Sequence, residues 1–277
     1  MILSRLSAAA LLGFFGLGPA CAANLASYRA VYDMNLLRAS DRSGLSAVDG
    51  RMVYEFRGSS CEGYAVKFRS VTAFRTDDSE QVIDQRATTF ENVAEDRFSF
   101  ATQSFIDNKL DKEVKGEATK LEPRAALAVS LTLPETQKLK LPNAMFPTAH
   151  MEDLLDRAAA GEKIYRTSVF DGTEEGDKIL MTNVVIGDRK VTPSGDEDVT
   201  ALGSLVEGAY WPISMSYYDI AASSGGEDEP VFRLSFDLYD NGVASDFTMD
   251  YGDFVVSQKL VELEPVETPA CDGAVAQ

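Results

Sequence analysis

From Tyr28 onward, apolar residues alternate with polar ones along most of the chain. The clearest runs contain Tyr28, Ala30, Tyr32, Met34 and Leu36; Met52, Tyr54 and Phe56; Tyr64, Val66 and Phe68; and Phe98 and Phe100. Successive side chains of a β-strand point to opposite faces, so a period of two is typical of strands with one buried face. Turn-prone clusters such as Asp41-Arg42-Ser43-Gly44 separate the runs. The pattern therefore predicts a mainly β protein with a largely antiparallel sheet.

A β-hairpin is predicted near the C-terminus, where Asn241-Gly242 lies between two alternating runs. This dipeptide favours a two-residue type I′ turn, and the turn sets the register of the flanking strands. The expected pairs are Phe232 with Tyr251, Leu234 with Met249, Phe236 with Phe247, Arg233 with Asp250, Ser235 with Thr248, and Asp237 with Asp246. One face of the hairpin is then continuously apolar.

One short helix is predicted within the stretch "TAHMEDLLDRAAAGE". Its apolar residues Met151, Leu154, Leu155, Ala158 and Ala159 recur at helical spacing. Pro147-Thr148 is a start signal, and Gly161 stands where a C-terminal cap belongs. We expect an amphipathic helix packed on the sheet. The preceding stretch, 134–147, is rich in proline and lysine and is expected to be an irregular crossing.

The N-terminal residues 1–23 have the composition of an export signal. Arg5 precedes a short apolar run, and Ala20, Cys21, Ala22 and Ala23 supply small residues for cleavage. We therefore expect an exported protein whose mature chain, residues 24–277, forms one domain without a membrane-spanning segment. Two alternatives remain at this point: an uncleaved membrane anchor, and a lipoprotein that carries its lipid on Cys21.

Removal of the signal leaves two cysteines, Cys61 in a turn and Cys271 near the end of the chain. An even number of cysteines in an exported protein favours a disulfide. A reactive thiol is usually activated by a basic neighbour, whereas Glu62 follows Cys61 and Asp272 follows Cys271. Two free thiols and a redox pair remain as alternatives.

The composition argues against several classes of function. The formal charge of -18 disfavours nucleic acid and anionic lipid surfaces as partners. His150 is the only histidine, so a histidine-based catalytic triad or a multi-histidine metal site is not available within one chain. We expect His150 to be structural and partly buried, and we expect neither catalytic residues nor a cofactor or metal.

Two features nevertheless suggest specific chemistry. Asp237 opposite Asp246 would form a carboxylate pair, as a hydrolase or a cation site requires, although a solvated acidic face explains the pair equally simply. The fifteen Phe and ten Tyr residues either fill the core or line a concave apolar face for a lipid, a lipoprotein or a peptide.

Three longer segments carry a resemblance to a known family. These are "GRMVYEFRGSSCEGY", "FPTAHMEDLLDRAAAGE" followed by "VFDG", and "FRLSFDLYDNGVASDFTMDYGDFVV" before a near-terminal cysteine. In combination they resemble the EipB family of periplasmic cell-envelope integrity proteins of alphaproteobacteria. The resemblance spans about residues 24–274 and contains no catalytic motif.

The resemblance implies a twisted antiparallel sheet of about 14 strands, wound as a spiral or open barrel with helical segments against it. It also implies a disulfide between Cys61 and Cys271. The resemblance implies a role in envelope homeostasis, but neither an enzyme activity nor a ligand. We expect a non-enzymatic binding or scaffolding protein that maintains the envelope; the alternatives are a carrier or chaperone for a lipid, a lipoprotein or a peptide, and an envelope hydrolase. We expect envelope proteins as partners, among them periplasmic helical-repeat proteins.

Overall fold

The computed structural model describes residues 25–94, 96–122, 125–173, 175–192, 202–219 and 229–268. All strands in these ranges belong to one sheet. They are β1 Tyr28–Ala39, β2 Ala47–Ser59, β3 Gly63–Arg75, β4 Glu80–Asn92, β5 Arg97–Ile106, β6 Lys109–Leu121, β7 Ala126–Leu133, β8 Gln137–Pro142, β9 Ile164–Val169, β10 Leu180–Ile186, β11 Lys190–Val191, β12 Ala209–Asp219, β13 Phe232–Tyr239, β14 Ala244–Asp250 and β15 Phe254–Pro265.

The order of strands across the sheet is β8-β7-β6-β5-β4-β3-β2-β1-β15-β14-β13-β12-β10-β9, with the short β11 paired to β12. Pairing between the strands is antiparallel throughout. The pairing of β1 with β15 joins the first strand to the last, so long-range contacts hold the middle of the sheet together. The predicted mainly β class and the strand number are confirmed.

The two edges of the sheet come together at one point. After β8, Met145 donates its N–H to the carbonyl of Ser168 in β9 at 2.8 Å, and Phe170 donates back to Met145 at 2.9 Å. The crossing predicted for 134–147 is only partly irregular, because it contains β8. Lys138 and Lys140 are exposed on this edge strand, as is common where an edge must not pair with other chains.

The helix α1 spans Pro147–Ala159 and confirms the predicted element. Its residues Leu154, Leu155 and Ala158 are buried in the main hydrophobic cluster with strand residues. At its end Gly161 has φ 81° and donates to Ala158, while Glu162 donates to Arg157. These two bonds form the Schellman cap that a glycine favours.

The turn between β13 and β14 differs from the predicted type I′ turn. Tyr239 donates its N–H to Val243 at 2.9 Å, and Gly242 donates to Tyr239 at 3.0 Å, so three residues form the loop. Within this loop only Gly242 has a positive φ, 84°, whereas a type I′ turn needs two such residues. The loop is a tight turn followed by a left-handed glycine.

The three-residue loop changes the register beside the turn. Asp237 therefore pairs with Ser245, and the prediction that it faces Asp246 is wrong. Asp246, with φ 53°, is the extra residue of a bulge that absorbs the shift. Beyond the bulge the predicted pairs are present: Ser235 with Thr248, Leu234 with Met249, and Arg233 with Asp250. The rings of Phe236 and Phe247 still stack, with their centroids 5.3 Å apart.

Candidate ligand cavity

An apolar cavity of about 280 Å³ lies inside the protein, between the sheet and α1. Inward-facing side chains of β1, β2 and β3 form one wall, those of β12, β13 and β14 form another, and the first turns of α1 cover it. We call it the inner cavity. The alternation of the sequence explains the walls, because every second residue of these strands faces inward.

A second cavity of about 480 Å³, the outer cavity, adjoins the inner one. Both cavities are lined by Met52, Tyr54, Leu234 and Phe247, so they lie along one continuous apolar path. The outer cavity is bounded by Phe254 and by Tyr251, whose side chain is exposed. Each volume is in or close to the range of about 300–1,000 Å³ in which proteins hold small molecules.

Methionine is frequent along this path. Five of the eight methionines of the chain line one or both cavities: Met34, Met52, Met151, Met215 and Met249. The methionine side chain is unbranched and polarisable, so it adapts to ligands of irregular shape.

Aromatic residues have two separate roles. Phe98, Phe100, Phe146 and Phe170 form a packed core cluster under β5–β8, whereas Tyr28, Phe56 and Phe247 line the cavities.

The helix that covers the inner cavity is held at its N-terminus by a residue of β4. The carboxylate of Glu91 accepts the backbone N–H groups of Thr148 and Ala149, at 2.7 and 2.9 Å. Phe146, the residue before the helix, provides no side-chain cap of its own. Burial raises the pKa of Glu91, and the two backbone hydrogen bonds and nearby Lys120 oppose this effect.

His150, the single histidine, lines the inner cavity from α1 and is buried. Its Nε2 lies 3.2 Å from the hydroxyl of Tyr165 in β9. Burial lowers the pKa of His150 to about 4, so the ring is neutral at neutral pH. The expected structural role agrees with this buried position beside one hydroxyl partner.

Sequence reasoning did not identify Glu91. Its strand, β4, pairs with β3 so that Glu91 is opposite the buried Tyr64 and shares its inward face. A glutamate at an inward position is unusual unless it has a partner. The only signal in the sequence was this charged residue at a position where the alternation expects an apolar one. Its partners are backbone N–H groups of α1, a helix far along the chain, so the local sequence does not reveal them.

The other predicted site residues have different outcomes. Cys61 is in the exposed turn after β2, with its Sγ 3.2 Å from Ser59 Oγ. Cys271 and the signal residues Ala20, Cys21, Ala22 and Ala23 lie outside the described residues, so the disulfide and the cleavage site stay predictions. Asp237 and Asp246 are displaced from each other by the bulge, although Asp246 still contributes to the raised pKa of Asp237, after burial.

Two kinds of feature are absent from the described residues. None of their helices is long and apolar enough to cross a membrane. They also contain no group of three or more His, Cys, Asp or Glu residues positioned to hold a metal ion.

The fold and the cavities define the class of this molecule: a β-barrel-like protein with an apolar interior covered by one helix. A family model described as EipB-like matches residues 19–267, so the chain belongs to the EipB-like family. The cell envelope integrity protein EipB of Brucella abortus (strain 2308) is 42% identical over 258 residues, which cover 92% of this chain and 90% of that protein.

A solved structure is similar as well. The crystal structure of a beta-barrel-like protein of a domain of unknown function from Brucella abortus matches with a TM-score of 0.84 and 40% identity. The match covers 89% of this chain and 100% of that one. The family resemblance carried by the three sequence segments is confirmed. Neither relative is described as an enzyme.

Proposed function

We propose that this chain is a non-enzymatic periplasmic protein that maintains the cell envelope by binding an apolar ligand in its interior. The observation that carries the proposal is the pair of adjoining apolar cavities, which share four lining residues. A well-packed core leaves few voids larger than a water molecule. Cavities of this size, lined by flexible methionines, therefore favour a binding function over a purely structural interior.

The envelope role is supported by the 42% identity to a cell envelope integrity protein. Residues 1–23 support export to the periplasm, because their charge and hydrophobic pattern is that of a cleavable signal. Among the three roles considered from the sequence, the cavities favour the carrier over a scaffold that acts only through its outer surface. The hydrolase alternative is not favoured, because Asp237 pairs with Ser245 and the cross-strand carboxylate pair on which that alternative rested is not formed.

Native mass spectrometry of mildly purified protein tests the carrier directly. We expect a bound lipid or other apolar adduct that is lost on organic extraction. Val66→Phe should reduce the adduct, because Val66 lines the inner cavity from β3. Val185→Phe is the matched control, because Val185 is exposed on β10 and lines neither cavity. A dry protein that also fails to take up an apolar fluorescent probe would contradict the proposal.

Protein partners, including helical-repeat proteins of the periplasm, remain a prediction. Cross-linking in intact cells followed by identification of the captured proteins tests it. The exposed faces of the strands provide surface for such contacts.

A further inference from the structure

We infer that the cavity selects a neutral ester carbonyl through the hydroxyl groups of Tyr28 and Tyr54, so that its ligand is an acyl ester rather than a free fatty acid. This inference rests on the proposed binding function and specifies its ligand class. It follows from the hydrogen bonds, the charges and the positions of the residues that line the cavities.

The first observation concerns hydroxyl groups. Four tyrosines line the inner cavity: Tyr28, Tyr32, Tyr54 and Tyr217. Tyr32 donates to the carbonyl of Ala244 at 2.7 Å, and Tyr217 donates to the sulfur of Met215 at 3.2 Å. Within the described part of the chain, the hydroxyls of Tyr28 and Tyr54 have no hydrogen-bond partner.

These two tyrosines are neighbours in an interior position. Tyr28 is 5% exposed, whereas Tyr54 on the adjacent strand is only partly buried, and their ring centroids lie 5.8 Å apart. Thr182 Oγ1 is the one fully buried side-chain N or O atom without a partner among the described residues, so the hydroxyls of Tyr28 and Tyr54 keep accessible surface. An accessible donor without a protein partner, on residues that line the cavity, is available to the acceptor of a ligand or to an ordered water. Because Tyr54 lines both cavities, a ligand that extends along the path passes this pair.

The second observation concerns charge. No lysine or arginine of the described residues lines either cavity, while Asp171 lines the inner one. The pKa of Tyr54 is raised, first by burial and then by the charge of Glu91, and burial also raises that of Tyr28. Both hydroxyls therefore remain protonated donors. A buried carboxylate would have no cation to pair with, so the site disfavours a fatty acid anion.

The two donors suit a neutral carbonyl group. An ester has acceptor oxygens and no N–H, so its carbonyl uses the tyrosine hydroxyls without leaving a donor of its own unpaired. The pair of tyrosine donors is thus complementary to the carbonyl of an ester.

Competition binding tests the inference on the purified mature protein after lipid extraction. Methyl dodecanoate and dodecanoate compete with an apolar fluorescent probe at pH 7.5. We expect the ester to compete at least about tenfold better than the carboxylate. Tyr28→Phe and Tyr54→Phe should each weaken ester binding by about 2- to 10-fold, the range of one net hydrogen bond, and lower the preference for ester over carboxylate, with each variant's own probe affinity used to calculate its ligand affinities.

Tyr64→Phe is the matched control. Its hydroxyl already donates to Glu152 and it lines neither cavity, so ester selectivity should be unchanged. Equal competition by ester and carboxylate overturns the inference but leaves the proposed function intact. Ester binding that is unchanged by both Tyr28→Phe and Tyr54→Phe also overturns the inference. In that case the two hydroxyls bind only ordered water. Failure of the probe and of all ligands to bind rejects the proposed function itself.

Discussion

Glu91 and Thr148 are joined by a 2.7 Å hydrogen bond across 57 positions of sequence, and this contact fixes the start of the helix over the cavity. The other carboxylate oxygen of Glu91 accepts from Ala149. The first N–H groups of a helix have no partner within the helix itself. A buried strand residue therefore provides the cap that is usually local, and it ties α1 to β4.

Glu91→Ala should destabilise the protein by about 1–3 kcal/mol, because it leaves buried N–H groups without an acceptor. Urea unfolding measures the loss, and hydrogen exchange should locate faster exchange in α1. Glu91→Gln keeps one acceptor oxygen and should cost less. Glu117→Ala, an exposed residue 3.5 Å from Arg97, is the control and should change stability by less than about 1 kcal/mol. Equal effects at positions 91 and 117 would contradict the capping role.

The buried His150 should make the protein less stable in mild acid. Its pKa is about 4 in the folded protein and near 6.5 when unfolded. Between these values the unfolded chain binds more protons, so stability falls as the pH drops from about 6.5 to 4, by up to about 3 kcal/mol. Asp153 partly opposes the lowered pKa and Arg157 adds to it. His150→Gln should flatten this dependence in urea titrations at pH 7, 5.5 and 4, and an unchanged slope would reject the assignment.

Gly242→Val should destabilise the fold more than Gly252→Val. Both glycines have positive φ, 84° and 85°, so both substitutions strain the backbone. A Cβ at Gly242 would also lie 2.6 Å from Leu25 Cδ2, whereas a Cβ at Gly252 would meet nothing within 4 Å. The melting temperature of Gly252→Val measures the backbone strain alone, and that of Gly242→Val measures the strain together with the steric clash against Leu25. An equal decrease in melting temperature for both variants would mean that the Leu25 side chain moves aside without destabilising the fold.

The predicted disulfide between Cys61 and Cys271 is supported by how the strands end. Val266 donates to the carbonyl of Ser27, and Ser27 Oγ accepts from the N–H of Gly58, three residues before Cys61. The end of β15 is thus directed toward the turn that holds Cys61. In the chain-entropy model, a bridge across a loop this long is worth roughly 5 kcal/mol.

Cys61→Ser and Cys271→Ser should therefore cause similar losses of stability, and the double variant should be little worse than either one, because each removes the same bond. Chemical unfolding of the three variants measures this. Thiol labelling of unfolded, unreduced periplasmic protein is the independent check. Two reactive thiols per mature chain would reject the disulfide and restore the free-thiol and redox alternatives.

Export should give a mature protein that begins at or near Ala23 or Asn24 and carries no lipid. The small residues before this point suit signal cleavage, while Gly18 and Pro19 fit a lipoprotein signal poorly. Intact-mass measurement of the periplasmic fraction tests both statements. A diacylglyceryl group on Cys21 would show that the protein is membrane-anchored.

The sequence by itself determined the strand periodicity, the helix with its glycine cap and the outer pairs of the last hairpin. These features depend on local alternation, helical spacing and turn residues, which are all encoded within a few positions. The resemblance of three segments was enough to assign the family. The pairing of Asp237 was wrong because one additional loop residue, invisible in composition, shifts a register by one position.

Only the tertiary structure decided what the interior contains. Alternation predicts that Tyr28 and Tyr54 face inward, but whether their hydroxyls find partners depends on strands and a helix distant in sequence. The same is true of Glu91. Its carboxylate oxygens accept hydrogen bonds from the first N–H groups of α1, and four strands separate β4 from that helix in the chain. Cavities arise where the side chains of remote segments fail to fill the space between them, and this is a property of the folded arrangement rather than of any local pattern.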